Sequence, residues 1–369
     1  MPASSLAKNL ENMELSNEPL WKGPEEDGIT QSMLNWFLVC RERFRVRYVL
    51  GLQPVDQFNH RIEYGSMWHC CEESLAAGNE VEFWDELDVY TSKLCERYPL
   101  QQADIIKWYE ICKLQFPIYV DYWAKHPDVV NRQPLLQEEV FNIPYKLPSG
   151  RTVRLRGKFD SVDLIDGGIW LQENKTKGDI DPQLLQRQLT FDLQTGVYLT
   201  ALVQEGWAGT EGHMVRGVRY NVIRRPLGGG KGSIHQKKNQ TQEEFYEELG
   251  NLIKGATGPE WGVLPDEHYF FMRWKVAFAP QEIEAYKDQF LNPILEQLCD
   301  WWNWIRATRD GGMWGHPDGT PYNHIHWRAP YGIYSPLYDG KPTELDSYLE
   351  TGSTVGLRRA DRLFKELDE

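Results

Sequence analysis

Residues 157–175 are Gly-Lys-Phe-Asp-Ser-Val-Asp-Leu-Ile-Asp-Gly-Gly-Ile-Trp-Leu-Gln-Glu-Asn-Lys. Strong β-formers on both sides of Asp166-Gly167-Gly168 predict a tight β-hairpin. A loop at Asp166-Gly167 places Asp160 opposite Glu173, whereas a loop at Gly167-Gly168 places it opposite Lys175. Because side chains alternate along a strand, Asp160 shares a face with Glu173 and Lys175 in either register. A three-residue loop would turn Asp160 to the other face.

Two acids and a lysine on one face have a chemical use. Cross-strand neighbours lie roughly 4.5–5.5 Å apart at Cβ, a separation at which two carboxylates bridge one hard cation of the Mg²⁺ or Mn²⁺ kind. Such an ion beside a lysine fits phosphodiester hydrolysis, since the ion neutralises phosphate charge and activates water while the lysine orients that water. The alternative is a surface hairpin with an ordinary ion pair, which contributes little energy.

Composition limits the classes of protein that the chain can belong to. With 369 residues, of which 41% are hydrophobic, it can bury a large core as one elaborated domain or two small ones. No stretch of about 18 apolar residues and no secretory signal is present, so we expect a cytoplasmic protein without a membrane partner. The six cysteines contain no Cys-x-x-Cys pair, which argues against disulfides and a thiolate zinc site.

Charge is distributed unevenly along the chain. The formal net charge of −14 argues against nonspecific coating of nucleic acid, because that mode needs many phosphate contacts. Residues 216–238 nevertheless carry seven basic residues and no acid around a glycine-rich loop. This basic loop indicates a polyanionic substrate or, alternatively, a solvated loop whose charge has no function. Its basic residues are Arg216, Arg219, Arg224, Arg225, Lys231, Lys237 and Lys238.

The pattern of apolar residues changes from helical to strand-like along the chain. Helices are predicted over 32–48, 61–77 and within 84–125. Strands are predicted over 138–143, 152–165, 168–176, 215–223 and 267–277, and further helices over 183–204, from Thr241, and over 280–306. This order predicts an α/β fold with a mixed central β-sheet flanked by helices.

The predicted organisation has one large domain between two terminal segments. The acid-rich first residues lack periodicity and predict a mobile arm. A helical N-terminal extension precedes the sheet, and a helical and aromatic region follows it. The predicted boundaries are an arm at 1–28, a single domain at 29–340 made of regions 29–130, 131–280 and 281–340, and a tail at 341–369.

Two predicted helices place further polar side chains near the hairpin. Gln194 and Tyr198 are four residues apart on the helix that follows it, so they share a helix face. His69 lies on an earlier helix, four residues after Gly65. Taken singly, each has an ordinary explanation: a half-buried core histidine, and the boundary of an amphipathic helix.

In this order, the features resemble the RecB-like branch of the PD-(D/E)xK nuclease superfamily. That branch carries a Gly-x-x-x-His helix, a Gly-x-x-Asp strand, an (Asp/Glu)-x-Lys-Thr strand and a Gln-x-x-x-Tyr helix. Here they are Gly65…His69, Gly157…Asp160, Glu173…Thr176 and Gln194…Tyr198. The resemblance extends over about residues 30–340, because Ser32…Phe44 looks like the family's opening helix. Residues 220–225, the remainder of the basic loop after them, and residues 241–246 are similar to phage-encoded exonucleases.

The resemblance implies a site and an activity. His69, Asp160, Glu173 and the main-chain carbonyl of Asn174 would hold one or two Mg²⁺ or Mn²⁺ ions, and Lys175 would position the attacking water. Gln194 and Tyr198 would support the site and contact the DNA strand. From charge we add phosphate contacts by Arg224, Arg225, Lys231, Lys237 and Lys238.

The expected activity is that of a metal-dependent deoxyribonuclease, an exonuclease acting on DNA ends or single strands in processing, recombination or phage replication. If the chain is phage-encoded, it would act in the host cytoplasm. The alternatives are a restriction-type endonuclease and a noncatalytic DNA-binding scaffold that keeps the fold. A homo-oligomer is compatible with the sequence, which does not decide it.

The chain departs from many relatives in its cysteines. Those relatives hold an iron–sulfur cluster with one cysteine in the opening helix and three near the C-terminus. Cys40 matches the first, but residues 323–338 contain none, so a cluster held by four thiolates is excluded within this chain. We expect the aromatic residues of this region, with Trp301, Trp302 and Trp304, to pack on the opening helix instead. The alternative is a stacking platform for single-stranded bases.

Overall fold

The structure is a computed structural model that describes residues 19–54, 57–76, 84–124, 132–190, 192–206, 214–308, 357–364 and 367. The chain divides into two compact units. The first unit comprises Met1–Asp56, Pro144–Leu155 and Asn292–Glu369, and the second comprises Gln57–Ile143 and Arg156–Leu291. Among the described residues, no helix is both long and apolar enough to cross a membrane.

The chain contains both helices and strands, in short runs of each kind. In chain order they are β1 (Ile29–Thr30), α1 (Gln31–Val39), α2 (Arg41–Phe44), β2 (Leu52–Pro54), α3 (His60–Ala76), α4 (Asp85–Arg97), α5 (Gln102–Trp123), β3 (Arg132–Lys146), β4 (Thr152–Ile165), β5 (Gly168–Lys177), α6 (Pro182–Thr190), α7 (Leu193–Gln204), β6 (Met214–Arg224), α8 (Gln242–Lys254), β7 (Phe271–Ala277), α9 (Pro280–Tyr286), α10 (Asn292–Thr308) and β8 (Leu357–Arg359). Short π-helical turns at Arg45–Val49 and Lys287–Leu291 follow α2 and α9.

The main sheet is mixed, which confirms the predicted fold class. Its hydrogen-bonded order is β1-β4-β5-β6-β7, with β3 beside β4. β4 and β6 run antiparallel to β5 and β7 respectively, while β5 and β6 are parallel. A parallel pair needs a crossover connection, and α6 and α7 supply it. These two helices therefore lie in the chain between the strands of the parallel pair.

The hairpin has the first of the two predicted registers. β4 and β5 pair from Ser161 with Gln172 to Ile165 with Gly168, so the loop is Asp166-Gly167. Both loop residues have left-handed backbone, with φ of +51° and +74°. This is the geometry of a type I′ turn, whose twist matches that of the strands and which Asp-Gly favours. By continuation of this register, Asp160 lies opposite Glu173.

The predicted helix over 183–204 is wrong in one respect, because the chain breaks it at Asp192. α6 ends at Thr190 and α7 begins at Leu193, where the Asp192 side chain accepts a hydrogen bond from the Thr195 N–H at 3.3 Å. An aspartate satisfies a free N–H at a helix start better than it fits a helix interior. The break fixes where α7, and with it Gln194, begins.

Aromatic packing holds α3 against the sheet of the second unit. Trp68 is fully buried and meets Phe116 and Tyr119 of α5 edge-on, with ring centroids 4.9 and 5.1 Å apart. Tyr119 in turn contacts Phe271 of β7 at 5.5 Å. Gly65 permits the close approach, since a Cβ there would lie 3.2 Å from Thr176 Oγ1 of β5. Helix and strand are thus held in a fixed relation one turn before His69.

In the first unit, the described parts of the two predicted terminal segments make specific contacts. Residues 1–18 of the predicted arm lie outside the described residues, but Trp21 is fully buried and donates to the Gly28 carbonyl at 2.8 Å. The arm at 1–28 remains a prediction; its described part, residues 19–28, contains this buried indole. Within the predicted tail, β8 pairs with β2 in antiparallel register, Leu52 opposite Arg359. The single domain at 29–340 remains a prediction.

Tryptophans of α10 pack on the opening helices, as the packing interpretation expects. Trp301 meets Phe37 and Phe44 edge-on, each at 5.5 Å between centroids. Trp302 contacts Trp21 at 4.9 Å. Residues 323–338, for which the same packing was predicted, lie outside the described part of the chain.

Candidate active site

Glu173, Lys175 and Gln194 form a closed hydrogen-bonded triangle. Lys175 Nζ donates to Glu173 Oε2 and to Gln194 Oε1, each at 2.8 Å. Gln194 Nε2 donates to the same Glu173 Oε2 at 2.8 Å. Strand alternation supplies the first two residues, and the start of α7 at Asp192 supplies the third. The structure therefore brings together three of the predicted site residues.

Glu173 retains one oxygen that this triangle does not use. The side chain is fully buried, and its Oε1 has no hydrogen-bond partner among the described residues. A buried carboxylate oxygen without a donor or cation is energetically unfavourable. This oxygen is therefore a coordination position that the protein itself leaves open.

The charges of the triangle influence one another. Burial raises the pKa of Glu173 to about 8; Lys175 opposes this shift, and nearby Asp160 adds to it. Burial also lowers the pKa of Lys175, but the charges of Glu173 and Asp160 outweigh burial and leave that pKa above its ordinary value. Lys175 accordingly stays protonated while it is held between an acid and an amide.

Asp160 lies in a second cluster with His69 and Glu138. Asp160 Oδ2 accepts the main-chain N–H of Asn174 at 2.7 Å. His69 Nδ1 lies 3.1 Å from Glu138 Oε1. One ligand atom from each of the three residues lies within 4.8 Å of the other two. α3 thus delivers the imidazole, and β3 and β4 deliver the carboxylates, to one point.

Glu138 is the residue that sequence reasoning missed. It adopts a left-handed φ of +47° within β3, a conformation that costs a non-glycine residue roughly 1–3 kcal/mol. Its Oε2 also accepts from Lys158 Nζ at 2.8 Å. A weak signal existed, since Glu138 and Glu139 are adjacent in a strand and one of them must face inward. No motif selected between the two.

His69 carries a proton in the absence of a cation. Burial lowers its pKa, but the charges of Asp160 and Glu138 and the hydrogen bond to Glu138 raise it to about 9. An imidazolium cannot bind a metal, so a cation bound here would displace that proton. The acids that raise the pKa are themselves oxygen ligands.

These residues fit a divalent cation. Two carboxylates and an imidazole lie within reach of one another. Glu173 adds an oxygen without a partner among the described residues, and the charge of Asp160 acts on the Glu173 carboxyl group. Oxygen ligands with one imidazole suit Mg²⁺ or Mn²⁺. Asn174 donates its N–H to Asp160, and its side chain accepts from Asn221 at 2.9 Å. Coordination by the Asn174 carbonyl remains a prediction.

Tyr198 lies against the sheet under the triangle. It is 8% exposed, and its ring meets Phe141 and Phe159 edge-on at 5.3 and 5.7 Å. A Cβ at Gly157 would lie 2.5 Å from Phe141 Cζ and 2.9 Å from Tyr198 Cε1, so this position needs glycine. Burial raises the pKa of Tyr198, and the nearby Gln194 side chain opposes this shift. These contacts support Gln194, while contact of Tyr198 with DNA remains a prediction.

Arg224, the last residue of β6, and Arg225, which follows it, are not part of an exposed basic surface. Arg224 donates to Asp179 Oδ1 at 3.0 Å and to the Ile180 carbonyl at 3.1 Å, and its guanidinium lies 3.9 Å from the ring centre of Tyr269. These internal contacts argue against the phosphate contact predicted for Arg224. Arg225 is also buried.

The three predicted lysines are exposed. Lys231 Nζ donates to the Glu260 carbonyl at 2.7 Å, and Lys237 pairs with Glu248 at 3.0 Å. Lys238 is exposed in the same loop. The loop therefore presents its lysines at the surface, where the first two already have partners.

The comparison with protein families matches these observations. The model of the PD-(D/E)XK nuclease superfamily matches residues 29–268, which include the hairpin, His69 and α7. The chain belongs to the PD-(D/E)XK nuclease superfamily. A search of curated proteins finds no match. Membership of the superfamily implies a nuclease that uses a divalent metal.

Proposed function

We propose that this protein is a metal-dependent deoxyribonuclease of the RecB-like branch, an exonuclease that acts on DNA ends or single strands. Its setting would be DNA processing, recombination or phage replication, in the cytoplasm. The observation that carries the proposal is Glu173, whose buried Oε1 is free while Lys175 and Gln194 hold its Oε2. A merely structural acid would have both oxygens engaged.

The residues that would hold Mg²⁺ or Mn²⁺ are His69, Glu138, Asp160 and Glu173. A bound ion would neutralise phosphate charge and lower the pKa of a water molecule. The Asn174 N–H holds Asp160 in place by its 2.7 Å hydrogen bond, and the Glu138–Lys158 pair limits the movement of Glu138. Four separate elements, α3, β3, β4 and β5, would thus fix the ligands before any cation binds.

Lys175 would act on the water and on developing charge. The Lys175 side chain is 20% exposed, and two hydrogen bonds fix the direction of its ammonium group. A protonated lysine in this position orients the attacking water and balances negative charge at phosphorus. Gln194 keeps Lys175 and Glu173 in register, and Tyr198 supports Gln194.

We infer that the exposed lysines of the basic loop, Lys231, Lys237 and Lys238, contact phosphates outside the site. Their exposure supports this role, although Lys237 would have to exchange its pairing with Glu248. Such contacts position a strand without reading its sequence. This agrees with an enzyme that cuts DNA without sequence preference.

The test is cleavage of end-labelled single- and double-stranded linear DNA with Mg²⁺ or Mn²⁺. We expect the wild type to release nucleotides from ends, and Asp160→Ala and Lys175→Ala to be inactive although folded by circular dichroism. Lys254→Ala, an exposed lysine at the end of α8, is the control and should cut normally. Cleavage that survives in both Asp160→Ala and Lys175→Ala would contradict the assigned site.

Circular substrates separate the alternatives. An exonuclease leaves covalently closed circles intact, whereas a restriction-type endonuclease opens them. DNA binding without cleavage under any metal condition would favour the noncatalytic scaffold. The intact set of Asp160, Glu173 and Lys175 argues against that outcome. Light scattering of the purified protein would determine whether it forms a homo-oligomer.

A further inference from the structure

The second unit contains a buried arginine whose charge is not neutralised. Arg225 directly follows β6 and is 6% exposed. Its N–H donates to the Lys177 carbonyl at 2.7 Å, but its Nε is buried without a partner. In the described part of the chain, no carboxylate or carbonyl pairs with its guanidinium. A buried cation without a counter-ion is unfavourable, and its neighbour Arg224 shows the usual solution, a pairing with Asp179.

The surroundings of Arg225 are aromatic and positive. Its guanidinium lies 5.9 Å from the ring centre of Trp108, on which His60 stacks at 4.8 Å and 8°. Burial and the charge of Arg61 both lower the pKa of Arg225, and burial, Arg225 and Arg61 lower that of His60. Two arginines that repel each other beside the stacked rings of Trp108 and His60 are typical of an anion site.

Other charged residues near His60 do not neutralise the positive charge at Arg225. Near His60, Lys107 adds positive charge and Asp104 adds negative charge. Asp104 acts on His60 and forms no ion pair with Arg225 among the described residues. Arg61 is exposed, so an anion that enters from solvent meets it before the buried Arg225.

The position of this pair relates it to the metal ligands. Arg61, Gly65 and His69 are spaced by four on α3 and therefore lie in one row along the helix. Eight residues of helix span about 12 Å. This row of residues lies beside β5, because Gly65 packs on Thr176 of that strand. Arg225 is bonded to Lys177, two residues and about 7 Å of strand beyond Lys175.

We propose that Arg225 and Arg61 bind a phosphate group of the nucleic-acid strand at a site separate from the metal ligands. The proposal rests on the proposed function, because it takes that strand as the substrate. The phosphate belongs to the backbone or to the end of the strand, and both sources present the same anion. Arg225 supplies a fixed, desolvated fork, and Arg61 closes the site from the solvent side.

The first measurement is binding of a labelled single-stranded oligonucleotide without divalent metal, over a series of salt concentrations. We expect Arg225→Gln and Arg61→Gln each to weaken binding and to reduce the slope of log K against log salt concentration by about 0.7, one phosphate contact. Lys254→Gln removes the same charge elsewhere and should leave affinity and slope near the wild-type values. Wild-type affinity and slope in Arg225→Gln would overturn the proposal.

A second measurement controls for folding. In phosphate-free buffer, inorganic phosphate should raise the melting temperature of the wild type and of Lys254→Gln but not that of Arg225→Gln. Arg225→Gln should itself fold, because it removes an unpaired buried charge. Equal stabilisation of all three proteins by phosphate would contradict the site.

Comparison of substrates identifies the source of the phosphate. If Arg225→Gln loses a preference for phosphorylated over hydroxyl ends, the site holds a terminal phosphate. If Arg225→Gln weakens the binding of circular and of linear single strands to the same extent, the site holds a backbone phosphate. These binding assays do not depend on cleavage. An inactive wild type that keeps the difference in salt slope would refute the nuclease proposal alone, and an active enzyme without that difference would refute the phosphate site alone.

Discussion

Strands β4 and β5 carry two acidic clusters a few residues apart, and the two buried acids use their oxygens differently. Asp163 accepts from Arg132 Nε and Arg219 Nη2 on Oδ2, each at 2.8 Å, and from Ser161 Oγ on Oδ1 at 2.7 Å. Glu173 is just as buried, yet Lys175 and Gln194 both donate to its Oε2 and its Oε1 has no partner among the described residues.

The difference separates an acid that stabilises the fold from an acid suited to chemistry. Both oxygens of Asp163 accept hydrogen bonds and two arginines balance its charge, so nothing further can bind there. Glu173 is held as firmly on one oxygen, and its other oxygen has no partner among the described residues. Burial alone does not distinguish them; the number of engaged oxygens does.

The strongest test of this contrast is Glu173→Gln, which keeps the shape and removes the charge. We expect activity to fall by about 10³-fold, because loss of a metal ligand costs several kcal/mol of transition-state stabilisation. Single-turnover cleavage at saturating Mn²⁺ measures the loss. The melting temperature should not fall, since a buried carboxylate is removed. Activity within tenfold of the wild type would remove Glu173 from the site.

The matching substitution in the other cluster is Asp163→Asn. We expect stability to fall by about 3–5 kcal/mol, because Arg132 and Arg219 lose the charge that balances them. Denaturant unfolding measures this change. Cleavage per folded molecule, measured well below the unfolding transition, should stay near the wild-type value. A stable but inactive Asp163→Asn protein would erase the distinction between the two acids.

A third test asks whether Glu138 is a metal ligand together with His69, Asp160 and Glu173. Glu138→Gln should weaken Mn²⁺ binding about 10–100-fold, which calorimetry on the protein without DNA would detect. Glu139→Gln, its neighbour in the strand, is the matched control and should bind Mn²⁺ like the wild type. If both variants bind equally well, the strained backbone of Glu138 has another cause.

Two histidines extend the comparison and give the smallest effect. His69 is surrounded by acids, whereas His268 stacks on Phe271 at 4.3 Å, and burial lowers its pKa to about 4. The unfolded chain therefore binds a proton at His268 between about pH 6.5 and 4 while the folded chain does not. The stabilisation is complete above pH 6.5 and is lost as the pH falls towards 4.

This contribution has a slope of at most about 1.4 kcal/mol per pH unit. Urea unfolding of the wild type and His268→Gln across that range would show it as a difference in slope. Parallel curves for the two proteins would mean that His268 titrates normally.

Much of the site followed from local patterns in the sequence. The Asp166-Gly167 turn and the alternation of side chains fixed the register, which brought Asp160 across from Glu173. The i, i+4 spacing placed Gln194 above Tyr198. What failed was also local: Asp192 caps a helix where an uninterrupted helix was predicted.

The sequence by itself determined the hairpin, the succession of helices and strands, and the order of the four motifs, because each depends on residues close together in the chain. Only the tertiary structure decided that Glu138 joins His69, that Arg224 is paired and Arg225 is not, and that one oxygen of Glu173 is free. Glu138 and His69 are 69 positions apart, and no local propensity encodes their meeting. Partners of this kind are set by which helix packs on which strand, and the period of a single segment does not contain that information.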